Sequence, residues 1–301
     1  MYRSSARSAA LAFLLACVCA APAAAHGVVG ARFFPATIST DDPFAADELA
    51  LPTISVLRYR DGGASITESV YSGEYAKSIL PGFAISLEDA IIHRSAAGGL
   101  DATGFDNLAV TPTVEFARSE AHEFIASASL TWEIGGTGSI RIGAERASAL
   151  TPAIHFGKGF GDLPGSMALL RPFAVTAGIG YAIPGRGGDP RVLEWGGALE
   201  YSLSYLQANV RDVGLGPIAA HLTPVVEFAL SSPLGHNGGK TVGTLNPGLI
   251  WTGRQIQFGA ETIIPVNGET GSNLGFIAQL HFYIDDIFPH SLGMPLFGSF
   301  L

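Results

Sequence analysis

Nine glutamate and histidine side chains are the residues of this sequence best suited to act on a charged molecule. They recur on the polar side of apolar, alternating segments: Glu115, Glu133, Glu194, Glu200, Glu227, Glu261, His155, His221 and His281. If they project into one enclosed passage, a ring of carboxylates there favours cations over anions. The alternative is that they only supply the polarity of a water-filled interior, paired with arginine and tyrosine neighbours. Because lysine and arginine are rare in these segments, we expect some of the glutamates to have no basic partner.

Motifs for catalysis or for metal and cofactor binding are absent from the sequence. It contains no Gly-x-Ser-x-Gly elbow, Walker loop or His-Glu-x-x-His motif, and its eight histidines show no metal-ligand spacing. Residues 157–161 are glycine-rich, but a turn at residues 162–165 follows them instead of the helix that a nucleotide fingerprint needs. His290 and Ser291 could suggest the Ser-His pair of a lipid hydrolase. They are adjacent in sequence, however, and adjacent residues of a strand point to opposite faces, so they are not expected to act together. We therefore predict no enzyme, no metal site and no cofactor.

The elements that position these residues are β-strands. Large apolar residues recur at every second position, with polar or small residues between them, most clearly in residues 124–134, 193–203, 256–264 and 274–284. This period places one face of each strand against apolar surroundings and the other against polar ones. Turn-forming clusters separate the segments, and we count about twelve strands between Leu51 and Asp285.

Prolines recur near the start of several predicted strands. Pro112, Pro152, Pro224 and Pro247 each precede a short run of apolar residues. Because proline has no N–H to donate to a ladder, we expect these four residues at strand ends or at bulges near a rim.

The first 25 residues are typical of a signal peptide. Arg3 and Arg7 precede an apolar core at residues 9–20, and small residues before His26 form a cleavage site after Ala25. A lipoprotein signal at residues 14–17 is the alternative. Cleavage after Ala25 removes both cysteines and leaves 15 basic against 26 acidic residues. We therefore expect an exported, acidic mature chain without disulfides.

Composition narrows the class of the mature protein. The chain is 48% hydrophobic and only 14% charged, which excludes disorder, and its pI of about 5.3 excludes a strongly basic nucleic-acid binder. After the signal peptide, no uncharged apolar run reaches the 18 residues of a helical span. A soluble sandwich and a membrane barrel both fit alternating strands. The few lysines and the many aromatic residues on one face favour the barrel, whose strands must close because lipid cannot pair their backbone groups.

Three groups of segments carry a resemblance to a known family. They are residues 32–37 with 41–43, residues 194–197, and residues 277–283 with 285–289. They resemble a family of exported proteobacterial proteins of uncharacterised function, which is itself similar to transporter-like barrels named for the MetA pathway of phenol degradation. The resemblance covers nearly the whole mature chain. It implies a barrel and a role in passing small molecules, and it carries over no catalytic residue.

The predicted architecture is all-β: an antiparallel transmembrane β-barrel of about 12 strands, within a range of 10 to 14. We divide the chain into a signal peptide (1–25), an N-terminal segment (26–50), the barrel (51–285) and a C-terminal extension (286–301). The N-terminal segment either plugs the barrel or forms a disordered periplasmic lead. A barrel of this size has a narrow interior filled by side chains.

The predicted function is a passive, porin-like channel or transporter for a small solute in the outer membrane of a Gram-negative bacterium. Expected partners are outer-membrane lipid, a small-molecule or ion solute and the barrel-assembly machinery, with no nucleic acid. A lipid-modifying barrel enzyme and a secreted or periplasmic β-sandwich binding protein are the alternatives.

Overall fold

The computed structural model describes residues 27–61, 64–96, 99–235 and 239–298. The predicted signal peptide and both cysteines lie outside these residues, so cleavage after Ala25 stays a prediction.

Strands make up most of the described chain. In chain order they are β1 (Val28–Val29), β2 (Arg32–Phe33), β3 (Glu48–Asp61), β4 (Ala64–Leu80), β5 (Phe83–Ala96), β6 (Leu100–Phe105), β7 (Ala109–Ser119), β8 (Phe124–Glu133), β9 (Ala149–Gly159), β10 (Phe173–Pro184), β11 (Val192–Tyr201), β12 (Leu222–Pro233), β13 (Val242–Thr252), β14 (Ile256–Pro265) and β15 (Gly275–Tyr283).

Helical segments are short and lie in the connections. They are Glu120–His122, Ile140–Ile142, Gly165–Leu170, Leu203–Tyr205, Leu206–Val210, Ala219–His221 and Ile284–Ile287. Within the described residues, no helix has both the length and the apolar character needed to cross a membrane.

The large sheet closes into a barrel. Each strand from β7 to β15 pairs with its neighbour in sequence, β15 pairs with β3, β3 with β4, and β4 with β5. Strands β6 and β7 both pair with β5, at different heights, and so share one place in the wall. The described residues thus form a closed, antiparallel barrel of twelve strands, which confirms the predicted fold class. The β-sandwich alternative is wrong, because the β15–β3 and β4–β5 pairings close the large sheet on itself.

The barrel is polar inside and apolar outside. Along β12, Thr223, Val225 and Glu227 are buried and face the interior, whereas Val226 between them is 38% exposed. Phe116, like the other large outward residues, is exposed. The period-two alternation of the sequence is therefore the inside–outside alternation of the wall.

Prolines interrupt the ladder between neighbouring strands. Pro112 is skipped in the β7–β8 pairing, Pro152 in the β9–β10 pairing and Pro247 in the β13–β14 pairing. Pro112, Pro152 and Pro224 lie near the start of their strands, but Pro247 is in the middle of β13. The predicted strand-end or bulge position is therefore wrong for Pro247. Its missing N–H is accommodated because the β13–β14 pairing skips this residue.

The two ends of the barrel differ. Because the number of strands is even, β3 starts and β15 ends at the same end of the barrel, called here the terminal end. The connections at 160–172 and 202–221 also lie at the terminal end. The connection at 134–148 lies at the opposite end and folds inward. Its Ile142 is only 2% exposed and packs against interior residues of β5 and β6.

Residues 27–47 lie inside the barrel and are called here the inner segment. Two apolar clusters fix it to the wall. The first cluster comprises Val29, Phe34, Phe44, Ile125 and Ala174. The second comprises Ile38, Ala198, Val225 and Ile250. Burial of one phenylalanine or isoleucine side chain contributes about 2 kcal/mol, so these clusters supply much of the docking free energy.

Candidate functional site

The structure places eight of the nine predicted residues on the interior face of the barrel. Glu200, Glu227 and Glu261 lie beneath the inner segment and are at most 2% exposed. Glu115 also contacts the inner segment, through the backbone N–H of Ala45 at 3.1 Å. The remaining four residues line a cavity: Glu133, Glu194, His155 and His281.

His221 is the exception, and its predicted place in the lumen needs correction. It ends the helical turn Ala219–His221, before β12 begins at Leu222, so the strand alternation does not reach it. Its exposed ring lies 6.2 Å from the ring of Trp251. Trp251 faces outward, because its neighbour Ile250 is fully buried on the interior face.

Glu227 holds the middle of the inner segment. Its carboxylate accepts the backbone N–H groups of Ile38 and Ser39, both at 2.8 Å, and the hydroxyl of Thr40 at 3.2 Å. The Ser39 hydroxyl donates in turn to Glu261 at 3.1 Å. Some of the glutamates predicted to be pore charges therefore bind the inner segment instead. They accept hydrogen bonds from its backbone N–H groups, which are buried away from water and need partners.

Close approach of the inner segment requires small residues on the wall. A Cβ atom on Gly259 would lie 2.4 Å from Cδ1 of Ile38, and one on Gly157 would lie 3.3 Å from Cγ of Pro43. The amide of Gln257 donates to the carbonyl of Ala36 at 2.7 Å. Because Gly157 and Gly259 have no side chain, the inner segment can pack closely against the wall at these positions.

A buried ion pair fixes the inner segment at the terminal end. Arg32 is fully buried, and its Nε lies 3.3 Å from Glu123. The guanidinium also donates to the carbonyl of Pro172 at 3.0 Å and to that of Arg171, and it lies over the ring of Tyr205. The Tyr205 hydroxyl donates to Glu123 at 3.0 Å, and burial raises the pKa of this phenol. Every polar group of this contact therefore has a partner, as buried charges require.

A cavity of about 590 Å³ lies beside the inner segment, and its lining extends from Glu133 and Glu194 near the opposite end to Glu48 and Ala84 near the terminal end. Its wall is rich in serine and threonine and carries seven carboxylates: Asp41, Asp42, Glu48, Glu74, Glu88, Glu133 and Glu194. Lysine and arginine are absent from the described residues that line it. The cavity is therefore strongly acidic.

Two of these carboxylates, Glu74 and Glu88, lie directly opposite each other on β4 and β5. Interior residues at such positions have Cβ atoms about 5 Å apart, and like charges there repel. Asp41 is exposed at the tip of the inner segment, in the same cavity. The sequence prediction missed all three residues. The alternation around Glu74 and Glu88 could have found them, but Asp41 lies in an irregular segment without a period.

The weak catalytic signals of the sequence do not assemble into a site. Residues 157–159 of the glycine-rich run end strand β9, and a turn follows. His290 and Ser291 are both exposed in a turn beyond β15. Among the described residues, no group of three or more histidine, cysteine, aspartate or glutamate side chains is arranged to hold a metal ion.

The fold is similar to that of a solved membrane channel. The COG4313 outer membrane channel from Pseudomonas putida F1 superposes with a TM-score of 0.51 and 13% sequence identity, over 83% of this chain and 98% of that one. This is the fold of an outer-membrane barrel. The KdgM porin (TM-score 0.44, 10% identity) and the NanC porin (0.45, 11%) cover 78% and 77% of this chain, and 98% of their own.

Sequence comparison adds no family. No protein-family model matches the chain, and no curated protein is similar to it in sequence. At 13% identity the structural likeness concerns the fold alone. The resemblance to the barrels of the MetA pathway stays a prediction.

Proposed function

We propose that the protein is an outer-membrane channel that passes small solutes and favours cations. The observation that carries the proposal is the acidic cavity inside a closed barrel. Its seven carboxylates lie among serine and threonine hydroxyls, and no described basic residue lines it. In this proposal the chain is exported by its signal peptide and inserted by the barrel-assembly machinery, and lipid surrounds its outward face.

Charge selectivity follows from the position of these carboxylates. A low-dielectric wall focuses the field of charges that line a cleft, so cations concentrate in the cavity and anions are repelled. Glu74 and Glu88 on one wall and Glu194 on another surround the tip of the inner segment at Asp41. A cation that enters the cavity is therefore attracted from several sides.

Solute size is limited by the inner segment. Residues 27–47 lie inside the barrel and are tied to the wall by Arg32, by Glu227 and by two apolar clusters. The interior of a twelve-stranded barrel is narrow even before it holds such a segment. We therefore propose inorganic ions and small organic cations as the solutes.

The test is electrical. Purified protein in planar bilayers under a KCl gradient should conduct, with a reversal potential on the cation-selective side. The double variant Glu74→Gln/Glu88→Gln should move that potential toward zero. Asp212→Asn, which removes one exposed charge in the terminal-end connection, is the control outside the cavity and should leave the reversal potential unchanged. Well-folded protein that stays silent, or that prefers anions, would overturn the proposal.

A further inference from the structure

The outward face of the barrel changes from apolar to basic near the opposite end. On β15 the outward side chains alternate with buried interior residues, and all of them are apolar: Phe276, Ala278, Leu280 and Phe282. Phe276 lies opposite Val56 of β3. Beyond Val56, the next two outward residues of β3 are Arg58 and Arg60, and both are exposed. Two arginines therefore lie directly at the edge of the lipid-facing apolar band.

A surface depression of about 320 Å³, called here the rim depression, lies at this edge. Its lining combines two apolar residues, Val56 and Leu274, with three polar residues, Arg58, Thr67 and Asn273. Leu274 is 69% exposed and directly precedes β15, so it continues the apolar row of that strand. A cation and two hydrogen-bonding groups beside apolar side chains match a ligand that has an anionic head and a hydrocarbon chain.

Two hydrogen bonds shape the rim depression. Nε of Arg58 donates to the hydroxyl of Thr67 at 3.3 Å, across the ladder between β3 and β4. Nδ2 of Asn273 donates to the backbone carbonyl of Arg58 at 3.5 Å and so holds residue 273 against β3. Because the bond to Thr67 uses Nε alone, the two terminal nitrogens of the guanidinium keep the fork geometry that binds two oxygens of one phosphate.

The positive charge of the rim depression is not neutralised by the described part of the protein. None of the ion pairs among the described side chains includes Arg58 or Arg60. Asp101, a carboxylate in the same row of paired residues, lies three strands away on β6, about 14 Å across the sheet. By contrast, Arg94 on the interior face pairs with Glu68 at 2.5 Å. The rim depression therefore offers a cation to a ligand.

The rim depression is continuous with the lipid-facing surface of the barrel. Val56 lines the depression and is 38% exposed, and Phe276 opposite it is 49% exposed. Both side chains face outward, where the strands of an outer-membrane barrel meet lipid. A ligand in the rim depression thus lies among membrane lipids, and a lipid with an anionic headgroup is the occupant that fits both its charge and its apolar side.

We propose that the rim depression binds a phosphorylated glycolipid of the outer leaflet. Arg58 binds a phosphate of the headgroup together with Thr67 and Asn273, Arg60 adds a second positive charge, and an acyl chain lies over Leu274. The chain enters the outer membrane from the periplasm, so the free ends of β3 and β15 stay on that side, and the opposite end lies in the outer leaflet. This site is on the outside of the barrel and goes beyond the proposed channel function.

Lipid binding by the purified protein tests the site. Native mass spectrometry in detergent counts the molecules bound from three separate lipids: bisphosphorylated lipid A, the same lipid without its phosphates, and phosphatidylglycerol. We expect the wild type to bind the bisphosphorylated lipid about fivefold more than either of the others. Arg58→Gln should remove this preference by lowering binding of the bisphosphorylated lipid about fivefold, with binding of the dephosphorylated lipid unchanged.

Two further variants control for net charge and for folding. Arg186→Gln removes an exposed arginine at the same end but outside the rim depression, and it should bind all three lipids as the wild type does. Arg58→Lys keeps the charge but loses the fork of the guanidinium, so an intermediate loss is expected. It replaces Arg58→Gln if heat-modifiable gel migration shows that this variant does not fold.

The outcomes separate the lipid site from the channel function. Equal binding of the bisphosphorylated lipid by the wild type and Arg58→Gln overturns the site, and so does an equal loss in Arg186→Gln. Phosphatidylglycerol bound as strongly as the bisphosphorylated lipid overturns the assignment to the outer leaflet, and a dimer that Arg58→Gln separates would assign this face to a second copy of the chain. A wild type that binds the lipid but is silent in bilayers would remove the channel proposal and leave the site standing. A conducting wild type that binds none of the lipid would do the reverse.

Discussion

The guanidinium carbon of Arg32 lies 3.8 Å from the centre of the Tyr205 ring, and both side chains bind the carboxylate of Glu123. This contact joins the start of the inner segment to two connections at the terminal end. Arg32 is fully buried and Glu123 is 4% exposed, so neither charge can be hydrated once its partner is removed. The contact is therefore a buried polar attachment of the inner segment to the terminal end.

Arg32→Ala should destabilise the folded barrel by about 3 kcal/mol, because it leaves a buried carboxylate without its cation. The change is measured by urea unfolding in lipid vesicles. Arg32→Lys keeps the charge but loses the hydrogen bonds to two carbonyls, and we expect an intermediate loss. A fully stable Arg32→Ala protein would show that this ion pair does not hold the inner segment.

Glu227→Ala should release the middle of the inner segment. Two backbone N–H groups, those of Ile38 and Ser39, lose their acceptor, and leaving them unpaired costs about 3 kcal/mol. We expect faster proteolysis within residues 27–47 and a larger conductance in planar bilayers. Val226→Ala, its outward-facing neighbour in the same strand, is the control and should change neither. Unchanged proteolysis of Glu227→Ala would contradict the docking role.

Asp41→Asn should weaken the preference for cations without changing stability. Asp41 is exposed at the tip of the inner segment and lines the acidic cavity, so its charge acts on passing ions and not on packing. We expect the ratio of potassium to chloride permeability to fall about twofold. Reversal potentials measure this ratio, with Asp212→Asn as the exposed control outside the cavity. An identical shift in both variants would mean that overall charge, and not the cavity, sets selectivity.

Fold and site differed in how far the sequence could predict them. Closure into about twelve strands was predictable, because the side-chain period of two runs through residues such as 124–134 and 256–264 and is a local property. The interior position of Glu227 follows from the same period. Its partners Ile38 and Ser39 do not, since they lie 189 and 188 residues away in a segment without periodicity.

Errors in the predicted site have similar physical causes. His221 was misplaced because the period was extended one residue beyond the start of β12, into a helical turn. Glu74 and Glu88 were missed, although the alternation of β4 and of β5 places both on the interior face, where they lie opposite each other. Strand alternation predicts that the glutamates face the interior. It does not predict which of them bind the inner segment and which line the cavity, because that depends on where the inner segment packs.

Asp285 links stability to pH in the helical segment Ile284–Ile287 that follows the last strand. Burial, together with the neighbouring carboxylate of Asp286, raises the pKa of Asp285 to about 6, from an ordinary value of 3.8. A carboxyl whose pKa is higher in the folded state favours folding while it is protonated. That contribution is complete below about pH 4 and is lost as the pH rises through about 6.

Asp285→Asn should therefore stabilise the protein at pH 7.5, where the wild-type carboxylate is charged, and have no such effect at about pH 4. We expect Tm to rise by about 2 °C at the higher pH, measured by thermal unfolding in detergent. Asp286→Asn removes the neighbouring charge and should give a smaller rise with the same pH dependence. Asp212→Asn, an exposed aspartate of the terminal end, should change Tm at neither pH. An equal gain for Asp285→Asn at both pH values would assign the effect to packing, because only the ionisation of Asp285 can make the difference depend on pH.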